Sequence, residues 1–329
     1  METIFPLVFS IPAIMRLVIH PSTSKKELQA IHDVSPECEV VNAATEAEAV
    51  RAIPTADAFY GYITPEMLAA ATRLKWVQAP RIGLEHYMFP ELAQSDVILT
   101  NTRGMLADLV ADHAFALALS LARELHFYMR NQLEHHWERS MPVVDLPNST
   151  LGIIGLGEIG IEVAKRAAAF GMQVVAVDPR RAEKPEIVAE LWKPYRLNDL
   201  LTNSDFVVIC APHTPETEKM IRAEQLRLMK KTAYLVNVGR GVIVDLADLT
   251  ETLRAGTIAG AGLDVFEMEP LPVDHPLWTL PNVIITPHAA SECPNNKVGE
   301  RRLQTLLDNI QRFITGEPLR NVVDKPAWY

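Results

Sequence analysis

The sequence predicts an α/β protein of two lobes, each built on a doubly wound parallel sheet. Three observations carry this. The chain has 329 residues, more than one domain ordinarily holds. Short apolar runs alternate with helix-patterned segments along its whole length, the signature of parallel α/β architecture. The series of strand-like runs becomes regular only from residue 151, after roughly one domain's worth of chain. Hydrophobic residues make up 48% of the sequence, enough for two cores.

The elements follow in order. Residues 4–15 are mostly apolar, but no Lys or Arg precedes them and no small-x-small cleavage site follows. Pro6 and Pro12 interrupt the run, so residues 1–14 read as an N-terminal extension, or as an early start codon ahead of Met15, rather than a signal peptide. The stretch 16–20 reads as the first core strand, followed by strands at 58–61, 76–78 and 97–99. Helices at 45–52 and 65–71 intervene. One long helix is expected from about 106 to about 137. Its first part, 107–125, is rich in Ala and Leu and suits deep burial. Its later part carries His126, Arg130, His135 and His136 and suits partial exposure. Strands are then expected at 151–154, 174–178, 206–210, 233–237, 260–265 and 283–286, and a last helix at 296–315 returns to the first lobe. The expected division is therefore 15–106 plus 294–329 for a substrate (catalytic) domain and 107–293 for an inserted second domain. No internal repeat or low-complexity segment is visible.

Composition excludes several functions. The formal net charge is −10, from 31 Lys+Arg against 41 Asp+Glu, with no basic run. Non-specific nucleic-acid binding needs a cationic footprint that this chain lacks. No apolar stretch reaches membrane-spanning length, so no membrane association is expected. The three cysteines, Cys38, Cys210 and Cys293, are far apart and show no metal-ligand spacing. They read as reduced thiols of a cytoplasmic protein, and no metal is expected. His135 and His136 are adjacent rather than four apart. They point apart on a helix and suit solvent or a subunit interface better than a metal. His113, on the apolar helix, reads as structural.

The most informative stretch is Leu151-Gly-Ile-Ile-Gly-Leu-Gly-Glu-Ile-Gly160. Gly155, Gly157 and Gly160 form a G-x-G-x-x-G turn after a short strand, with a helical run behind it and a second strand ending in Asp178. The first glycine permits a tight turn and the second lets backbone amides approach a pyrophosphate. The third lets helix and strand pack closely, with the helix N-terminus facing the negative charge. Asp178 stands where a carboxylate would accept hydrogen bonds from an adenosine ribose. The pattern predicts a bound dinucleotide. Arg180 and Arg181 suit a 2′-phosphate, but the Asp178 carboxylate repels one, so NAD is expected over NADP.

Ligands of open α/β sheets lie beyond the carboxyl ends of the strands. Those ends supply Arg240 after Asn237, Glu269 after the strand that ends at Val265, and His288 after Ile285-Thr-Pro. Taken singly, Arg240 and Glu269 read as a surface ion pair worth little, and His288 as a structural histidine. Their shared place at successive strand ends reverses that reading. For hydride transfer to a 2-oxo acid, Arg240 can clamp the carboxylate and polarise the carbonyl. His288 can give the developing alkoxide a proton, and Glu269 can fix its tautomer and keep it protonated.

On these residues the chain resembles the D-isomer-specific 2-hydroxyacid dehydrogenases. The likeness runs from Met15 onward through Ile154-Gly-Leu-Gly-Glu-Ile-Gly160, Pro212-His-Thr-Pro-Glu-Thr217 and Val236-Asn-Val-Gly-Arg-Gly241. It continues through Leu263-Asp-Val-Phe-Glu-Met-Glu-Pro270, Thr286-Pro-His288 and Gly316-Glu-Pro-Leu. The resemblance implies a Rossmann-type NAD-binding domain inserted into a flavodoxin-like substrate domain, and Arg240, Glu269 and His288 as the catalytic trio. It implies that Asp264 meets the nicotinamide carboxamide and that the Glu158 and Ile159 backbone approaches the pyrophosphate. It extends the cofactor contacts to Pro212 and Val238. In the first lobe it implies a substrate loop within Ala79-Pro-Arg-Ile-Gly-Leu-Glu-His86, where Ile82 and Gly83 hold the substrate carboxylate by backbone N–H groups. The chain departs from the family there: Arg81 replaces a small residue, Glu85 an Asp, and Asp112 a Glu. Arg103 and Met105 occupy a segment that in the family more often contains Pro.

The expected function is an NAD-dependent oxidoreductase interconverting a small 2-oxo acid, of the glyoxylate and hydroxypyruvate class, and its D-2-hydroxy acid. A homodimer is expected, as are closure of the lobes over the cofactor and absence of a C-terminal regulatory domain. Two alternatives stand beside it: an NAD-sensing, corepressor-like binding protein, and a dehydrogenase of phosphorylated 2-hydroxy acids using Arg81 and Arg103. Glu269 disfavours a formate dehydrogenase, whose relatives have Gln there. Cys293 suggests a redox switch only weakly.

Overall fold

The run Arg-Leu-Val-Ile-His forms strand β1 (Arg16–His20), with its three central residues fully buried. A continuous apolar run of this length suits a parallel strand covered on both faces. The computed structural model describes residues 15–139, 143–292 and 297–327. Residues 1–14 and Cys293 lie outside the described residues. The chain falls into two units, Met1–Met105 with Cys293–Tyr329, and Leu106–Glu292.

In the first unit β1 is followed by α1 (Lys25–Val34), β2 (Glu39–Asn42), α2 (Glu46–Ala52), β3 (Ala58–Gly61), α3 (Pro65–Ala70), β4 (Trp76–Gln78), α4 (Pro90–Ala93) and β5 (Ile98–Thr100). Helix starts are marked by the side chains of Ser24, Thr45 and Thr64, each accepting the backbone N–H three residues on. All strands pair in parallel, in the order β2-β1-β3-β4-β5. That is the flavodoxin-like arrangement. One face of the sheet is covered by a core that includes Phe59, Met67, Tyr87 and Leu92. The other packs Leu17, Ile19 and Trp76 against Leu306, Ile310 and Phe313 of the C-terminal helix (Lys297–Thr315). β2 was not foreseen, and β5 lies one residue later than expected.

The second unit runs α5 (Ala107–Ala122), α6 (Leu125–Leu133), β6 (Thr150–Ile154), α7 (Glu158–Ala169), β7 (Gln173–Val177), β8 (Glu190–Trp192), α8 (Leu197–Asn203), β9 (Phe206–Ile209), α9 (Ala223–Leu228), β10 (Tyr234–Asn237), α10 (Leu246–Arg254), β11 (Gly260–Leu263) and β12 (Val283–Ile285). The helix of the first unit is thus α11. The sheet order is β12-β11-β10-β9-β6-β7-β8, all parallel. This is the Rossmann order with one further strand, and its direction reverses between β6 and β9. The sequence suggested six strands; the structure adds β8 as an edge strand beside β7.

The single long helix expected from about 106 to 137 is two helices. Glu124 adopts φ 54, which ends the α-helical path between α5 and α6. Its side chain is buried, where Glu124 Oε1 accepts the Tyr234 hydroxyl at 3.0 Å and Oε2 lies 3.5 Å from His126 Nε2. Burial, then the Glu124 carboxylate, pushes the Tyr234 phenol well above its ordinary range, so it stays a donor. α5 packs on α7, β10 and β11. Among the described residues no helix is long and apolar enough to cross a membrane.

Candidate functional site

The turn after β6 is shaped by its glycines. Gly155 has φ +91, and a Cβ there would stand 2.7 Å from the Ala211 amide nitrogen. Any other residue would be strained and would collide with the segment after β9. Gly160, inside α7, presses on the Gly155 carbonyl, and a Cβ would not fit. At Gly157 a Cβ would meet nothing within 4 Å. Gly157 is the N-cap of α7 and supplies no side-chain cap, so the first amides of the helix, Glu158 and Ile159, point out of the turn without one. An open approach to an uncapped helix start is the shape and charge that a pyrophosphate requires. The residues present fit a dinucleotide.

Asp178 follows β7 and holds this turn together. Its Oδ2 accepts Leu156 N–H at 2.8 Å, and its Oδ1 accepts Arg180 and Arg181 N–H, each at 2.8 Å. Two carboxylate oxygens offer about four acceptor positions, so one direction remains for a ribose hydroxyl. The Arg181 Nε–H is committed to Leu156 O at 2.7 Å, and Lys193 Nζ to the Pro179 carbonyl at 2.9 Å. Pro212 is exposed beyond β9, in a turn closed by Thr217 Oγ1 donating to its carbonyl at 2.8 Å. Val238 is buried beyond β10.

Arg240 stands three residues past β10 in a loop that Asn237 braces from both sides. Asn237 Nδ2 donates to Arg240 O at 3.0 Å, and Asn237 Oδ1 accepts Gly239 N–H at 3.1 Å. The guanidinium is half-buried, with Nη1 donating to Gly239 O at 2.8 Å. Next to it, Gly241 lies so close to the Phe266 backbone that a Cβ would overlap it. That contact seats the Arg240 loop directly on the loop carrying Glu269.

Glu269 and His288 form a pair. His288 Nδ1 is 2.7 Å from Glu269 Oε2, while Glu269 Oε1 accepts Phe266 N–H at 3.0 Å. A carboxylate only accepts, so Nδ1 carries a proton and Nε2 is the nitrogen left to exchange one. Both side chains are partly exposed, at 48% for His288 and 36% for Glu269. His288 has φ 54, a left-handed conformation that costs a non-glycine residue about 1–3 kcal/mol. Its N–H donates to Asp264 O at 2.8 Å, which holds it there.

Asp264 is the hub of this loop and is 1% exposed. Its Oδ1 accepts the Thr286 hydroxyl at 2.6 Å and Ala289 N–H at 2.9 Å, and its Oδ2 accepts Ala290 N–H at 3.1 Å. Burial alone would raise its pKa. The hydrogen bonds from His113, Thr286, Ala289 and Ala290 outweigh that and hold it below the usual carboxylate range.

The structure thus brings Arg240, Asp264, Glu269 and His288 to the carboxyl ends of β10, β11 and β12. Sequence reasoning missed the braces: Asn237, Gly241, Thr286 and the His113 contact. Only Thr286-Pro-His288 offered a local signal. Cys210, beyond β9, is pushed up to about 12 by burial and Cys38 to about 11, so neither is a thiolate near neutral pH. His135 and His136 are exposed, and no metal-binding cluster occurs among the described residues.

In the first unit, Ile82 and Gly83 occupy a loop tied down by its carbonyls. Arg81 O accepts Thr102 N–H at 3.3 Å, and Ile82 O accepts Asn101 Nδ2 at 3.0 Å. The Arg81 guanidinium lies over the Tyr62 ring, 5.4 Å from its centre. Arg81, Glu85 and Arg103 are exposed.

Residues 115–290 match the family description "D-isomer specific 2-hydroxyacid dehydrogenase, NAD binding domain". A glyoxylate reductase of Korarchaeum cryptofilum is 41% identical over 269 residues, 80% of this chain and 80% of that protein. A D-3-phosphoglycerate dehydrogenase of Archaeoglobus fulgidus is 32% identical over 322 residues, 95% of this chain and 60% of that one. The crystal structure of a Sinorhizobium meliloti NADPH-dependent glyoxylate/hydroxypyruvate reductase, in complex with NADP and sulfate, is similar with a TM-score of 0.83. It is 28% identical and covers 96% of this chain and 100% of its own.

Proposed function

The chain belongs to the D-isomer-specific 2-hydroxyacid dehydrogenase family, and from that premise we propose that it reduces a small 2-oxo acid, glyoxylate or hydroxypyruvate, to the 2-hydroxy acid, the D isomer where C2 is a stereocentre. The observation that carries this is the His288–Glu269 pair beside the Arg240 loop, at the strand ends of a dinucleotide-binding sheet. The nicotinamide, when bound, supplies the hydride. Arg240 clamps the substrate carboxylate and polarises the 2-oxo oxygen, lowering the cost of the charge that develops there. His288 delivers the proton from Nε2 to that oxygen, and Glu269 stabilises the imidazolium through Nδ1. Ile82 and Gly83 are assigned to the substrate carboxylate by their amides. Gly155, Gly157, Glu158, Ile159 and Gly160 are assigned to the pyrophosphate, and Asp178 to the ribose. Pro212, Val238 and Asp264 are assigned to the remaining cofactor contacts. The sparse, odd-numbered cysteines support a cytoplasmic enzyme.

The test is NADH oxidation over glyoxylate, hydroxypyruvate, pyruvate, a phosphorylated 2-oxo acid and 2-oxoglutarate, repeated with NADPH. Turnover is expected on the small unphosphorylated acids. The Asp178 carboxylate should make kcat/KM at least about tenfold higher with NADH than with NADPH. NADH binding without oxidation on any acid would sink the reading. Equal efficiency with NADPH would remove the role of Asp178.

A homodimer is part of the same reading. Leu125, Met129 and Leu133 share one face of α6 at four-residue spacing, with Trp137 four residues on; they are 43, 64, 78 and 90% exposed. Burying a side chain of this size is worth about 1.5–3 kcal/mol, which a second copy would supply. Light scattering should give twice the chain mass for the parent and one chain mass for Leu133→Glu. A parent of one chain mass at micromolar concentration would contradict it.

A further inference from the structure

We propose that His113, on helix α5, is a positioning residue for the loop that carries Asp264 and His288. The inference rests on the function proposed above and extends its machinery to a side chain that touches neither substrate nor reacting atoms. His113 Nε2 lies 2.9 Å from Thr286 Oγ1 and 3.3 Å from Asp264 Oδ1. The Thr286 hydroxyl has one hydrogen, committed to Asp264 at 2.6 Å. Its oxygen can therefore only accept from His113, and the carboxylate can only accept too. Nε2 must carry a proton in either charge state of the ring. The result is a directional chain, His113 to Thr286 to Asp264.

That chain decides where the loop stands. Asp264 receives Ala289 and Ala290 N–H through its side chain and His288 N–H through its carbonyl. Three residues that follow β12, Thr286, Ala289 and Ala290, are thereby wrapped around one buried carboxylate, and His288 is held by the carbonyl of the same residue. Left with fewer donors, a buried carboxylate must take up water, another donor or a proton, and each would loosen the wrap. The left-handed backbone of His288 persists only while that wrap over-determines it. The helix pair α5–α6 grips β12 at both ends. Arg130 of α6 donates to the carbonyls of Leu280, Pro281 and Val283 at its start, and His113 holds Thr286 at its finish. His113 thus sets two things at once: the Asp264 carboxylate assigned to the cofactor and the placement of the His288 ring.

The experiment compares His113→Ala, His113→Gln and Thr286→Val with the parent in three readouts. These are NADH affinity by fluorescence titration without any 2-oxo acid, kcat with KM for the acid, and the Tm of the cofactor-free chain. The amide of Gln can place an N–H near the position of Nε2. We expect His113→Ala to weaken NADH binding and lower kcat, each about tenfold, with KM for the acid within about twofold; Gln should recover most of both. Thr286→Val should reproduce the loss, and the double variant should be no worse than either single one, because both cut the same chain. A lowered Tm with unchanged NADH affinity and kcat would overturn the proposal, as would a Gln variant no better than Ala, or additive losses in the double variant. If the parent turns over no 2-oxo acid, the functional reading fails alone. The NADH titration still decides the role of His113.

Discussion

Replacing His288 with alanine is expected to lower kcat on a 2-oxo acid by about 10²–10⁴-fold, the contribution of a positioned general acid. NADH affinity should change little, because the wrap around Asp264 uses the backbone N–H of residue 288 rather than its ring. KM for the acid should also hold, since the proton is needed only as charge develops on the oxygen. In the proposed mechanism Glu269 acts through the same ring, 2.7 Å from Nδ1. The double variant His288→Ala/Glu269→Ala should therefore be no slower than His288→Ala, the signature of residues that work as a unit. A His288→Ala chain keeping more than about a tenth of parental kcat would assign the proton to another group.

Replacing Arg240 with lysine should be nearly as damaging despite keeping the charge. A guanidinium grips a carboxylate through two parallel N–H bonds in a fixed plane, whereas an ammonium is a point charge on a flexible stem. The loop that aims Arg240 is braced by Asn237 and pressed onto Phe266 at Gly241, so the backbone cannot move to re-aim the lysine ammonium. Losing a bidentate charged contact in the transition state is worth about 3–4 kcal/mol, so kcat/KM should fall about 10²–10³-fold. A lysine variant within threefold of the parent would show that Arg240 does not clamp the substrate.

What the sequence made legible was whatever depends on local pattern. Apolar strands stand out from their surroundings, so β6, β7, β9, β10 and β11, buried within the sheet, and the apolar edge strand β12 were placed to within a residue or two of their observed bounds. The turn at Gly155–Gly160 was legible because close backbone approach admits few residues, and one of its glycines has a positive φ. The strand ends then delivered Arg240, Glu269 and His288 as a group. Two of the four edge strands, β2 and β8, were not legible. β2 ends in Glu39 and Asn42 and is at most half-buried, and β8 is three residues long, so neither shows an apolar run. The break at Glu124 has no Pro or Gly to announce it; it depends on a carboxylate meeting Tyr234, 110 residues away. The His113–Thr286 contact spans 173 residues, and nothing near either residue signals the other. His113 was accordingly read as a structural residue of an apolar helix.

The central claim is that a hydride passes directly to C2 of a 2-oxo acid while His288 supplies the proton. The most direct test supplies NADH deuterated at C4 on one face or the other, together with glyoxylate or hydroxypyruvate, and examines the product. Direct transfer predicts deuterium at C2 from one labelled form only, on a D-2-hydroxy acid when C2 is a stereocentre. Deuterium delivered from both faces or lost to solvent would contradict the account, as would no product while NADH remains bound.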